Sequence, residues 1–161
     1  MAGDAKIQLA LEFLERASQL HSQGDLAMAV ELYRQSIALH PTVEAHVNLA
    51  SIHRLQRRLE EAMDECRKAI QIDPSQGTPY NDIGACLVDL GRAPEAVEWL
   101  ERATTSQRYD SYHLPWYHLG RAYASIELYR KARECFLHSL DIEPDFEPAE
   151  SELARLRRLV Q

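Results

Sequence analysis

Apolar residues recur at i, i+3, i+4 and i+7 along almost the whole chain, the spacing that gives a helix one dry stripe and one wet face. Breaks in that rhythm predict helices near 5–22, 26–39, 44–55, 59–71, 78–90, 94–106, 114–126 and 129–141, with a ninth from about 147 to 160. The prolines agree with these boundaries. Pro94, Pro115 and Pro148 stand where a helix begins, and Thr78-Pro79 reads as an N-cap followed by a first-turn proline. Pro41, Pro74 and Pro144 stand where a helix has just ended. Tight turns fall at Gly24-Asp25, Arg57-Arg58, Gly91-Arg92 and Glu127-Leu128. Two of the four lack glycine, so glycine is convenient there and not obligatory. The fold class this predicts is all-α.

The helices repeat in pairs. Phe13, His46, Tyr80 and Trp116 share one column, followed three residues later by Arg16, Leu49, Ile83 and Leu119. Ala17, Ala50, Gly84 and Gly120 come next, then Leu20, His53, Leu87 and Tyr123. In the second helix of each pair, Ala29, Ala62, Ala96 and Ala132 align, with Tyr33, Cys66, Leu100 and Phe136 four residues on. The small-residue columns step by 33, 34 and 36 residues. Small side chains in fixed columns are what two helices need where they cross closely, since a larger one forces them apart.

This register resembles the tetratricopeptide repeat, whose signature runs W-x₂-L-G-x₂-Y, A-x₃-F, P. The fourth unit carries all of it, from Trp116, Leu119, Gly120 and Tyr123 through Ala132 and Phe136 to Pro144. The third lacks the closing proline, the second has His53 at an aromatic position, and the first has Arg16 where an aliphatic is usual. The resemblance implies one domain over 1–161, with repeats at approximately 10–42, 43–76, 77–110 and 113–146 and a capping helix at 147–161. It implies a right-handed superhelical α-solenoid with a concave face lined by the first helix of each pair. It implies a non-enzymatic role, in which that face holds a peptide or helix of a protein partner.

Carried onto this sequence, the groove positions are Leu14, Glu15, Ser18 and His21 in the first unit and Val47, Asn48, Ser51 and Arg54 in the second. In the third they are Asn81, Asp82, Ala85 and Asp89, and in the fourth Tyr117, His118, Arg121 and Ser125. Asn48 matches the family pattern in which an amide holds a peptide backbone by donating and accepting at once. The two-carboxylate clamp of chaperone-binding members is not matched. Its lysine and arginine positions hold Leu14, Thr78 and Asp82 in one frame and Val47, Leu114 and His118 in the next. Carboxylates need cationic partners, so a chaperone C-terminal tail is not the expected ligand.

The longer connection before the fourth unit, Gln107 to Trp116, admits two readings: a turn whose aromatics pack on the stack, or a binding edge formed by Tyr109, Tyr112 and His113. The last helix carries Ala149, Leu153, Leu156 and Val160 on one face and Glu150, Glu152, Arg155, Arg157 and Arg158 on the other, the pattern of a polar cap.

Composition narrows the classes further. The 161 residues carry a formal charge of −7, which argues against a nucleic-acid binder. No stretch has the length and apolarity of a membrane span, and Ile7–Leu14 is too polar for a signal-peptide core, so a cytoplasmic protein is expected. Cys66, Cys86 and Cys135 form no CxxC and read as plain buried thiols. His46 and His53 lie two turns apart on one helix, within reach of a common metal, but in core columns they read as structural histidines. No catalytic motif, cofactor motif or metal cluster is present. Two readings stay open: a peptide-groove adaptor, and a self-associating scaffold of the kind found in bacterial assemblies and organelle coats.

Overall fold

The structure, a computed structural model, describes residues 2–159. Among these are nine helices: α1 (Ala2–Gln23), α2 (Leu26–Leu39), α3 (Val43–Leu55), α4 (Leu59–Ile72), α5 (Thr78–Asp89), α6 (Ala93–Thr104), α7 (His113–Ser125), α8 (Tyr129–Ile142) and α9 (Glu147–Leu159). Every expected helix is present. Val160, expected on the dry face of the last one, lies outside the described residues. None of the described helices is long and apolar enough to cross a membrane.

The helices group into two compact units, one ending at Pro74 and the other starting at Ser75. In the first unit α1 packs on α2 and α3 on α4, with α2 against α3. Leu14, Ala17, Ala29, Tyr33, Leu49 and Ile52 make its core. In the second unit α5 packs on α6, α7 on both α6 and α8, and α9 closes on α8. There Ala132, Phe136, Ala149, Leu153 and Leu156 form one cluster. All three cysteines are buried and outside any disulfide, and burial pushes the Cys135 thiol up to about 11.

The small-residue columns do the work expected of them. A Cβ on Gly84 would sit 2.3 Å from Leu100 Cγ, and one on Gly120 would sit 2.5 Å from the Phe136 ring. Each turn inside a pair places one residue in the left-handed region: Gly24, Arg57, Gly91 and Glu127, at φ of +86°, +62°, +75° and +62°. The next residue's N–H then reaches back into the helix, from Asp25 to Leu20 O, Arg58 to His53 O, Arg92 to Leu87 O and Leu128 to Tyr123 O, at 2.8–3.0 Å. That is the helix-ending motif that satisfies orphan carbonyls.

Helix caps correct one expectation. Thr78 does not cap α5 but is its first residue, and Gly77 holds the cap position. Gly77 has no room for a side chain, with Ser106 and Tyr109 within 3 Å of where a Cβ would stand. Side-chain caps do form at Asp25, which accepts from Met28 N, and Thr42, which accepts from Ala45 N. Helix α6 stops at Thr104, two residues short of expectation, because Thr104, Thr105 and Ser106 turn their hydroxyls onto the carbonyls of residues 101–103. Such local bonds compete with helix propagation.

One packing device escaped the sequence reading. Ser36 Oγ on α2 donates to Ala10 O on α1 at 2.8 Å, and Ser139 Oγ on α8 donates to His113 O on α7 at 2.9 Å. The serines share one repeat column and the carbonyls another. The same column holds Ala69 and Ala103 in the middle pairs, both fully buried.

Candidate partner-binding faces and side clefts

In the first unit, α1 and α3 present the expected binding positions, and Tyr33 ties them together from below. Its hydroxyl lies 3.2 Å from Ser18 Oγ. Burial pushes the tyrosine's pKa up, with the Ser18 bond working the other way. Asn48 is half-exposed. Glu15 and Ser51 are open to solvent, while Ser18, His21, Val47 and Arg54 are half-buried. Leu14 is a correction: at 6% exposure it belongs to the core and cannot line an open face.

In the second unit three more positions move inward. Asn81, Ala85 and His118 are 2%, 1% and 7% exposed. The reason is the contact of α5 with α7. Asn81 Oδ1 lies 2.9 Å from His118 Nδ1, and its amide donates to Asp82 Oδ1 at 3.3 Å. An amide oxygen only accepts, so His118 carries its proton on Nδ1. Asn81 and His118 thus join α5 to α7, and with Ala85 they are closed to solvent. Asp82, Asp89, Tyr117 and Arg121 remain half-buried and Ser125 exposed. Arg121 donates to Asp89 Oδ1 at 3.0 Å and lies 5.9 Å from the Tyr117 ring centre. Tyr117 itself packs against Phe136 and Phe146.

The long connection is built into the fold. Arg108 N donates to Ser75 O and Gly77 N to Arg108 O, an isolated β-bridge between residues 76 and 108. Tyr109 meets Tyr112 edge-on at 5.5 Å, and Tyr112 Oη donates to Ser106 O at 2.7 Å. His113 meets Phe146 at 4.8 Å. All three are half-buried against their own unit.

Beside these faces, each unit has a cleft between its second helices. In the first it runs between α2 and α4 over α3, encloses about 450 Å³, and is lined by Arg34, Leu49, His53 and Glu65 among others. His46 and His53 lie in its floor, 4% and 3% exposed. His46 Nδ1 is 2.6 Å from Glu65 Oε2, and Lys68 donates to Glu65 Oε1 at 2.6 Å. Burial disfavours the Glu65 carboxylate, but the bonds from His46 and Lys68 outweigh it and hold its pKa down at about 2. That carboxylate only accepts, so His46 carries a proton on Nδ1. His53 Nδ1 is buried with no hydrogen-bond partner among the described residues. Burial first, then Arg58 and Arg34, push its pKa down, against Glu61 and Glu65. Among the described residues no three His, Cys, Asp or Glu side chains are placed to share a metal ion. The residues of this cleft outside the histidines were missed from sequence, although two histidines in aromatic columns mark the place.

A tetratricopeptide repeat model matches residues 10–77, and a second matches residues 115–146. Type IV pilus assembly protein PilF of Pseudomonas aeruginosa is 27% identical over 155 residues, covering 96% of this chain and 59% of that protein. Small glutamine-rich tetratricopeptide repeat-containing protein 2 of Mycosarcoma maydis is 34% identical over 95 residues, covering 54% of this chain and 27% of that protein. A solved structure of Pseudomonas aeruginosa PilF superposes with a TM-score of 0.85 at 22% identity, covering 94% of this chain and 69% of that one. The chain thus spans from about a quarter to about three-fifths of these curated relatives. The structural likeness shows the fold, an α-solenoid of paired helices.

Proposed function

The chain belongs to the tetratricopeptide repeat family, and from that membership we propose a non-enzymatic protein-interaction module that holds a segment of a partner protein on the faces of its first helices. One observation carries the reading. Those faces keep polar side chains half-exposed, and one on each is held in place by a neighbour, Ser18 by Tyr33 in the first unit and Arg121 by Asp89 in the second. An oriented hydroxyl or guanidinium loses less freedom when it meets a peptide than a free one does. The binding set is Glu15, Ser18, Asn48, Ser51 and Arg54 in one unit and Asp82, Tyr117 and Arg121 in the other. A chaperone carboxylate tail suits neither face, because Asp82 and Asp89 repel it and no lysine stands at the clamp positions.

A second reading, a self-associating scaffold in an assembly such as the one PilF is named for, is favoured by Ile7 and Leu11. They lie one turn apart on α1 and are 40% and 45% exposed. The test immobilises the full chain and a variant, Asn48→Asp/Ser51→Arg/Arg121→Gln, against extract of the source cells. Solution mass is measured for both. Partners lost from the variant alone support the module. Identical capture by both, or a large self-associated species dispersed by Ile7→Ser/Leu11→Ser, overturns it in favour of the scaffold.

A further inference from the structure

The first helix is longer than its counterparts, and the excess leaves an uncovered apolar end on the first-unit face. Helix α1 starts eleven residues ahead of Phe13, whereas α3, α5 and α7 start two or three ahead of His46, Tyr80 and Trp116. Ile7 falls in the added turns, and Leu11, one turn on, stands in the column of Glu44, Thr78 and Leu114. By helical geometry Ile7, Leu11 and Ser18 form one stripe along α1, and Glu15 flanks it one turn after Leu11. On α3, Glu44, Val47, Asn48 and Ser51 form another. Tyr33 marks where the two stripes meet: its hydroxyl touches Ser18 and feels the charge of Glu44. The face therefore has a polar half, from Ser18 and Asn48 onward, and an apolar half of Ile7, Leu11 and Val47. Ile7 and Leu11 are 40% and 45% exposed, Val47 is half-buried, and Glu15 and Glu44 are open to solvent. Of the nearby cations, Lys6 and Arg16 project from other sides of α1, and Arg54 stands two turns farther along α3.

We propose that this end of the face seats a basic amphipathic helix of a partner protein. The inference rests on the module reading above and names the chemistry of the segment held. Two apolar side chains one turn apart on α1, with Val47 across from them on α3, are a surface against which the apolar face of a helix packs. Glu15 and Glu44 border that surface and favour lysine or arginine on the flanks of the segment, as does the formal charge of −7. An acidic segment would meet like charge on both flanks, and a wholly polar one would leave Ile7 and Leu11 without an apolar partner. A second copy of this chain fits worse. A symmetric pair through Ile7 and Leu11 would bring Glu12 and Glu15 of one chain towards the same acids of the other.

The test is a ¹H–¹⁵N NMR titration of the full chain with a short helical peptide of leucine and lysine in amphipathic order. Two controls run beside it: the same peptide with glutamate for lysine, and an isomer of the lysine peptide whose leucines are spread round the helix. The lysine peptide is expected to shift amides around residues 7–18 and 43–51 saturably, with a Kd on the order of 10–100 μM that weakens as salt rises. Both controls are expected to bind at least about tenfold more weakly. Ile7→Ser/Leu11→Ser is expected to weaken the lysine peptide about tenfold. Glu15→Lys/Glu44→Lys is expected to reverse the order of the lysine and glutamate peptides. All four positions are exposed, so these variants keep the fold, which circular dichroism checks. The proposal is overturned by absence of saturable shifts on this face, or by either control binding as well as the lysine peptide. An undiminished response in the folded Ile7→Ser/Leu11→Ser variant also overturns it, as does a self-associated wild type that this variant turns into a monomer. The capture experiment with Asn48→Asp/Ser51→Arg/Arg121→Gln keeps the two readings apart. Partners lost there, with the lysine peptide off this face, leave the module standing and remove this inference. Capture unchanged there removes both.

Discussion

Two residues sit in the left-handed region without the freedom of glycine. Arg57 and Glu127 hold φ of +62° because the turn between paired helices demands it, at a cost of about 1 kcal/mol each. Glu127→Gly is expected to raise stability by about 0.5–1 kcal/mol, less the entropy glycine adds to the unfolded chain, and urea unfolding reads it directly. Gly120 is the opposite case, since its neighbour Phe136 leaves no space for a side chain. Gly120→Leu is expected to cost about 3 kcal/mol or more. The first-unit cleft adds two separate pH windows. His53 has a lowered folded pKa, so its contribution is complete above the unfolded value of 6.5 and fades as pH falls below it. Glu65 contributes fully above 4.5 and loses that contribution as pH falls towards about 2. His53→Phe should flatten the first window alone. Glu65→Gln should flatten the second by on the order of 1–3 kcal/mol, as measured by thermal midpoints across pH.

At the scale of the element, helix positions were legible because period and proline mark them. Facing was legible only in part. Leu14 and Asn81 share a repeat position and were both expected on an open face, yet both are buried. A first helix has a third neighbour besides its own partner, the next first helix, and that contact claims part of the supposed groove. The polar identity of Asn81 and His118 concealed it, since a mutually satisfied buried pair looks like a solvated one in sequence. Tyr117 serves both sides: its ring packs on Phe136 and Phe146 while one side stays half-open. The hydroxyl links from Ser36 and Ser139 were invisible because the acceptor is backbone. Ser36→Ala is expected to destabilise by about 1 kcal/mol through loss of the inter-helix hydrogen bond, Ala10 O keeping its place in the α1 ladder, while Ala69 and Ala103 show the column tolerates the smaller side chain. Removing residues 147–161 uncovers Phe136 and should lower the thermal midpoint sharply.

At the scale of the whole molecule, the family and the repeat count came from sequence, and the division into two compact units did not. No composition change marks Pro74; the division follows from which helices touch. Both tryptophans, Trp99 and Trp116, belong to the second unit. Tryptophan fluorescence therefore follows that unit, whereas far-ultraviolet dichroism follows both. In Ser36→Ala the dichroism midpoint is expected to fall by more than the fluorescence midpoint. Coincident shifts would instead mean that the two units melt as one cooperative body.

The three buried thiols then acquire a use unrelated to binding. Cys66 lies in the first unit, and Cys86 and Cys135 in the second, each shut away from reagents while its unit is closed. An alkylating agent can reach them only through an opening of the structure, so the rate of modification at each sulfur counts how often that neighbourhood opens. The chain thus carries its own clock for local unfolding, one hand in the first unit and two in the second, readable by mass spectrometry without adding a label.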